Sequence, residues 1–311
     1  LVFLFSLILI SLFVFFFFHK STQNELNNFS WLSKETSIII NNWFMMYFLS
    51  VVLIGTVYPI FLDVLSSQKI SVGPPFYHKL IVPFLIPFLL AMAIGPKLKW
   101  VKSNLEDKFS LILLLIISVL ISFFILKIFE ANFLINTILI SSAAYLFFIT
   151  FRDFFIKKFN NISQNIAHFG FSLLILSILF NSLFSSEIIT NLKVGETFED
   201  LNTKIILKSI EQKEEKNFKS IIANFNIENS KGIIENLSPE LRIYNQPNIV
   251  TSEADIKTTM MSDKFIVINV VQNQDYFNVR YQVKPFMLWI WLSVLLISFG
   301  GLLSLFKKNY E

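Results

Sequence analysis

Cysteine is absent from the 311 residues. That excludes disulfides, thiolate metal sites and thiol chemistry within this chain. Charge is scarce as well, at 15% of residues, where a soluble domain carries about 25% to solvate its surface. A single soluble domain is therefore excluded. Arginine is confined to Arg152, Arg242 and Arg280, and the net charge is only +4. No concentrated basic stripe is present, so a nucleic-acid partner is not expected. The chain also lacks a phosphate-cradling GxxxxGK[ST] loop, a GxSxG elbow and an HExxH pair. No pair of acids sits within its apolar runs.

What it has in quantity is hydrophobic sequence, 54% of residues, with 37 phenylalanines. Seven apolar segments stand out, at about 1–18, 43–62, 79–98, 109–127, 132–151, 166–185 and 286–306. Each approaches the roughly 20 residues that cross a 30 Å hydrocarbon core as a helix. The first lacks the basic flank and small-residue cleavage site of a signal peptide, so it reads as a span. Lys20, Lys34, Lys97, Lys99, Lys102, Lys108, Arg152, Lys157, Lys158, Lys307 and Lys308 fall in one set of loops. Only Lys69, Lys79 and Lys127 fall on the other side. Lysine and arginine accumulate in cytoplasmic loops, which places the first set and the C-terminus in the cytoplasm. Because Leu1 already lies inside an apolar run, the sequence is expected to be part of a longer protein or one product of a split gene.

Residues 186–285 have a different texture. Val279–Val283 alternates with period two, and 204–208 and 265–268 are short apolar runs, with Gly195, Gly232, Pro239 and Pro247 between such runs. Short strands separated by these residues predict a small β domain. The expected fold is an α-helical polytopic membrane protein of about seven spans, with an external β-rich domain before the last one. Its divisions are 1–185 for six helices, 186–285 for the β domain, and 286–311 for the last span and a short tail.

There are three histidines. His19 ends the first apolar run beside Lys20, and His78 sits beside Lys79 in an external loop; an interfacial ring is ordinary at both places. His168 lies in Asn165-Ile166-Ala167-His168-Phe169-Gly170, in the first turn of the sixth predicted span. An ionisable group inside a span is costly and marks a functional site. Imidazole there suits haem iron, a divalent metal or a proton, and a hydrogen-bonded interfacial histidine is the competing reading. Ala167 and Gly170 leave room for a flat cofactor or a close helix. Pro74 and Pro75 are expected to forbid a helix across 69–77, and that loop to be a turn with an aromatic anchor or the wall of an external site. Pro59 is expected to kink or end the second span. Trp289, Trp291 and Tyr281 fit an aromatic belt, and Gly300 and Gly301 allow close helix packing without forming GxxxG.

Several motifs together resemble a known family. Ser33-Lys34-Glu35 followed by Asn41-Asn42 is similar to the SRE…NN of CcmF, a cytochrome c-type biogenesis family. In the same order come Gly55-Thr56-Val57-Tyr58-Pro59 (GTLYP), Ile70–Phe76 (ISVGPPYF), Gly95–Trp100 (GPLLRW) and Ala167-His168-Phe169-Gly170 (AHLG). Glu240–Tyr244 with Thr251–Ile256 resembles EKRxY…TEAxI. Val279-Arg280, Pro285–Trp291 and Gly300-Gly301 resemble VR…PFVxWIW…GG. The resemblance runs along nearly the whole chain but matches only the C-terminal half of the family. The Trp-rich external haem-handling segment, the two external histidines and the first membrane histidine lie upstream of such a half.

The resemblance implies a subunit of the haem lyase that joins haem to the CxxCH thiols of apocytochrome c. It implies a haem b in the membrane with His168 as an axial ligand to the iron. Implied partners are the N-terminal half of the same lyase, apocytochrome c, the haem chaperone CcmE, CcmH and CcmI-type subunits, and membrane lipid. The implied location is a bacterial inner membrane, with the mitochondrial inner membrane as the second option. His78 stands where the family has Asn, and contact with delivered haem is a minor alternative for it. No general acid or base is assigned. A membrane transporter or sensor with an external β domain is the alternative from another class, and a docking scaffold without a haem ligand is a third reading.

Overall fold

In hydrocarbon every backbone N–H and C=O needs an internal partner, so apolar runs of this kind are helical. A computed structural model describes residues 2–18, 30–66, 70–102, 107–128, 133–156, 162–200, 203–229, 232–270 and 276–305. His19, Lys20, Lys69, Lys157, Lys158, Lys307 and Lys308 lie outside the described residues. The described helices are α1 (Val2–Phe18), α2 (Lys34–Ser66), α3 (Pro74–Ile94), α4 (Lys108–Ile128), α5 (Phe133–Ile156), α6 (Ile162–Phe184) and α7 (Met287–Leu305). Six of them, α2 to α7, are long and apolar enough to cross a membrane. The seven-span reading is thus approximate, because α1 has 17 residues and sits at the lower limit for a span. The chain is a multi-pass membrane protein.

The helix bounds correct the expectation for Pro74 and Pro75, and one of the two offered for Pro59. Pro74 and Pro75 do not forbid a helix; they open α3. In the first turn their missing N–H groups have no intrahelical acceptor to lose. Pro59 does not end α2, which runs on to Ser66. His78 accordingly lies in the second turn of α3, exposed, rather than in a loop. At the other end α2 begins nine residues before the predicted span. Ser33 caps it, its Oγ accepting the Thr36 N–H at 3.2 Å, and a cap fixes a helix start where hydropathy does not. The 33 residues of α2 extend about 50 Å at 1.5 Å each, more than the hydrocarbon core.

The motifs that stand apart in sequence meet in pairs. At one end of the bundle, Lys34 N–H donates to Lys99 O at 3.0 Å and Ser30 N–H to Val101 O at 2.9 Å. The Glu35 carboxylate accepts the Val101 N–H at 3.0 and 3.1 Å. The Ser33–Glu35 and Gly95–Trp100 motifs are therefore one joint. At the opposite end a Cβ on Gly55 would stand 2.7 Å from the Tyr77 hydroxyl, so the second motif meets the residue that directly follows the third.

Residues 186–285 form a two-sheet sandwich of ten described strands, with an antiparallel sheet ordered β1-β10-β9-β8. These are β1 (Ser186–Leu192), β8 (Asp255–Thr258), β9 (Ser262–Val270) and β10 (Phe277–Pro285). The second sheet is ordered β2-β3-β4-β6-β7, from β2 (Thr197–Asp200), β3 (Thr203–Glu214), β4 (Phe218–Asn229), β6 (Glu240–Tyr244) and β7 (Val250–Glu253). A further strand, β5 (Ile234–Leu237), pairs with β4. Ile205, Leu207, Phe225, Ile227, Ile266 and Ile268 fill the space between the sheets. Tyr281 is not part of an aromatic belt. It is 4% exposed in this core, because β10 alternates and places 279 and 281 on one face. Burial, with the nearby Glu235 carboxylate, pushes its hydroxyl up to about 12.

The first and last strands are neighbours, with Ser186 opposite Val283. The chain therefore leaves α6 and re-enters α7 at adjacent points, and the sandwich is an insertion between two packed helices. Asn181 Nδ2 donates to Pro285 O at 2.6 Å, and Trp289 Nε1 to Met260 O at 2.9 Å. Phe286, at φ 61°, turns the corner with its ring 5.4 Å from that of Phe180.

Edge strand β1 carries Glu187, whose carboxylate accepts hydrogen bonds from Gln282 at 2.6 Å and from Arg280. These bonds hold its carboxyl below the ordinary 4.5. A folded-state pKa below the unfolded one adds stability that is present above about 4.5 and is lost as pH falls through the folded value. Amide exchange of the β1 and β10 peptides, corrected for intrinsic rate, is expected to speed up between pH 6 and pH 3.5. In Glu187→Gln that increment should shrink; an unchanged increment would show the acid effect arises elsewhere.

Candidate functional site

Helix α6 is held on two faces, and His168 stands on a third. Towards α7, a Cβ on Gly170 would meet Ile297 N and Ser293 O at 3.0 Å, and one on Gly300 would meet Ala167 N at 2.7 Å. Backbones approach this closely only where side chains are absent. The room beside Ala167 and Gly170 is thus filled by a close helix rather than a cofactor. The spacing between these glycines is set across two helices, which a motif scan along one chain does not see. Gly301, by contrast, has open space around it. Towards α5, Ser172 and Thr150 hydroxyls share a hydrogen bond of 3.1 Å. The Phe169 ring lies 5.3 and 5.5 Å from those of Phe147 and Phe154.

The third face of α6 meets α3 and α2, with Phe171 6.3 Å from Phe88 between ring centroids. Here a cavity of about 290 Å³ opens at the end of the bundle that carries Lys34 and Lys97. From α6 it is lined by Gln164 and His168. From α2 come Lys34, Ser37, Ile38 and Asn41. From α3 come Phe88, Ala91 and Met92, followed by Gly95 and Pro96. Ile38 and Asn41 are exposed at its rim. A Cβ on Gly95 would lie 2.3 Å from Ser37 Oγ, so this glycine lets α2 close on the end of α3.

His168 lies nearly two turns into α6 rather than in its first turn, because the helix begins at Ile162. Its side chain is half-buried, and its Nδ1 atom is buried. A second, small cavity of about 20 Å³ lies on its other side, against Thr150 and Asp153. Asp153 carries an ion pair that the sequence reading did not assemble. Lys97 Nζ donates to its two carboxylate oxygens at 2.7 and 2.9 Å, with the side chains 14% and 12% exposed. Asp153 lies beyond the predicted fifth span, but α5 continues to Ile156. An aspartate at a span end opposite a loop lysine was the available sign. Lys34 and Asn41 belong to the first motif, yet nothing local connects them with His168.

Chemically the cavity has an apolar wall in Phe88 and Met92, one imidazole, neutral amides, and one cation. Among the described residues no group of three or more His, Asp or Glu side chains converges to hold a metal ion. A single imidazole instead suits a metal that arrives with its other ligands, as in a macrocycle.

Comparison with known proteins agrees with the motifs. Residues 183–285 match a family described as the CcmF C-terminal beta-sandwich. Cytochrome c-type biogenesis protein CcmF of Pseudomonas fluorescens is 27% identical over 299 residues, 91% of this chain and 45% of the relative. CcmF of Escherichia coli strain K12 is 25% identical over 302 residues, 94% of this chain and 46% of the relative. A solved structure, Cytochrome c Heme Lyase CcmF, superposes with a TM-score of 0.66 at 18% identity, covering 88% of this chain and 46% of that one. The chain spans about half the length of the curated relatives it matches, and it is similar to their C-terminal half.

Proposed function

We propose, from the likeness to the C-terminal half of CcmF, that this chain is a membrane subunit of the haem lyase of cytochrome c maturation. In this reading His168 is an axial ligand to a non-covalently held haem b. The observation that carries it is the placement of His168, half-buried two turns inside the membrane helix, against a cavity with an apolar wall. The donor set fits. His168 would supply one ligand to the iron, Phe88 and Met92 would offer an apolar wall, and the absence of cysteine leaves no thiol in this chain for a covalent link.

When bound, haem supplies a one-electron iron couple within the membrane. The chain's own residues do the positioning. Gly170, Ala167 and Gly300 fix α6 against α7, and Phe169 and Ser172 fix it against α5, so the imidazole is presented from a rigid helix. Lysine asymmetry supports placing this end of the bundle on the cytoplasmic side and the sandwich outside. There the sandwich would meet apocytochrome c, the haem chaperone CcmE and CcmH- or CcmI-type subunits. The N-terminal half of the lyase supplies the second axial histidine and the Trp-rich segment. The membrane is a bacterial inner membrane.

The test is an absorption spectrum of this chain co-purified in detergent with such an N-terminal half. A reduced b-type spectrum is expected, and it should be lost in His168→Ala while the two halves still co-purify. If the complex forms and both spectra are alike, the ligand assignment fails and a docking scaffold gains.

A further inference from the structure

We propose that Lys34 is the carboxylate anchor of the α2–α3–α6 cavity, the residue that fixes which edge of the ligand faces the Lys34 end of the bundle. This rests on reading the cavity as a haem site.

Lys34 opens α2 and lines the same cavity as His168. Its backbone is immobilised twice, by the Ser33 cap one residue before it and by its own N–H to Lys99 O at 3.0 Å. Its ammonium lies 5.0 Å from the centroid of the Trp100 ring. That contact holds the stem in place and leaves the cation's hydrogen-bond donors for another group. The acids nearby are directed elsewhere. Glu35 accepts Val101 N–H with both oxygens, Asp153 accepts Lys97, and Asp107 accepts Arg152 at 3.0 Å. Among the described residues no aspartate or glutamate lines the cavity, and no ion pair involves Lys34. A cation facing a half-apolar cavity is stabilised by an anion that enters with the ligand.

The arrangement therefore selects an amphipathic ligand. Its flat apolar body lies against Phe88 and Met92, its metal reaches His168, and a carboxylate reaches Lys34. The carboxylates of haem meet that description. A phosphate from a lipid headgroup shares the anionic chemistry, and the experiment separates the two.

The full chain, co-purified with the N-terminal half and placed in nanodiscs of phosphatidylcholine, is titrated with haem and separately with haem dimethyl ester, whose carboxylates are masked, following the Soret band. A charge-assisted hydrogen bond contributes about 1.5–3 kcal/mol, so Lys34→Gln is expected to weaken haem binding roughly tenfold to a hundredfold. The ester should bind the wild type and Lys34→Gln alike, and Lys34→Arg should retain affinity for haem. Equal loss for haem and ester in Lys34→Gln would make Lys34 merely structural and overturn the proposal, as would unchanged haem affinity. Retained haem affinity with loss of co-purifying phosphatidylglycerol would assign Lys34 to lipid, which also overturns it. Haem binding to the wild type that does not depend on His168 would instead sink the underlying haem-site reading. Failure of the Lys34 proposal alone leaves the His168-dependent band in place.

Discussion

Replacing Gly300 by alanine is expected to lower the unfolding free energy by about 1–3 kcal/mol, the range for overfilling a packed contact. The added Cβ would stand 2.7 Å from Ala167 N and 2.9 Å from Ser163 O. Both are backbone atoms of α6, so relief requires the whole helix to move, not a side chain to rotate. The same change at Gly301, where nothing lies within 4 Å, is expected to be neutral or to stabilise by up to about 1 kcal/mol through lost freedom of the unfolded chain. Two adjacent glycines thus respond differently to the same change. Thermal unfolding of the purified chain in detergent, read by tryptophan fluorescence, measures both. Equal effects at 300 and 301 would mean that α6 and α7 do not meet through Gly300. Since Ala167 precedes His168, Gly300→Ala should also disturb any spectrum that depends on that histidine.

Breaking the Lys97–Asp153 pair is expected to be costlier still. Both side chains are largely excluded from solvent, and removing one partner strands the other charge, at about 3–5 kcal/mol. Asp153→Leu and Lys97→Met should each lower the unfolding midpoint sharply. The double variant should recover most of the loss, because two apolar residues leave no uncompensated charge behind. The coupling energy from the double-mutant cycle is the deciding quantity. A value near zero would place the pair among exposed salt bridges, worth about 0–1 kcal/mol. Asp153 also borders the small cavity beside His168, so the single variants should alter that side of the site while the double variant largely restores it.

The motif reading reached the residues but not their partners. Ser33-Lys34-Glu35 and Gly95–Trp100 were legible as separate signatures, and the structure makes them one joint through Lys34, Ser30 and Val101. Gly55 belongs to the second motif and Tyr77 directly follows the third, and the two meet in space. His168 was identified because histidine inside a span is costly. Its neighbours Lys34, Asn41 and Gln164 are ordinary polar residues near helix starts, and no local pattern distinguishes them. The misreadings have local causes too. Pro74 and Pro75 look like helix breakers until the first turn is known to begin there. Tyr281 sits close to the aromatic Trp289 and Trp291 in sequence, while strand alternation turns it into the sandwich core.

By itself the sequence determined the helices and the β texture of 186–285, and it singled out His168 as a candidate. These follow from local rules: hydrocarbon forces backbone hydrogen bonds inward, alternation marks half-buried strands, and a buried ionisable group is rare for energetic reasons. Only the tertiary structure decided that Lys34 and His168 share a cavity, that Lys97 reaches Asp153 across 56 positions, and that Gly300 rather than Gly301 is the contact glycine. Those facts depend on how helices approach one another in space. That approach is set by many weak contacts at once, and none of them leaves a mark at a fixed spacing along the chain.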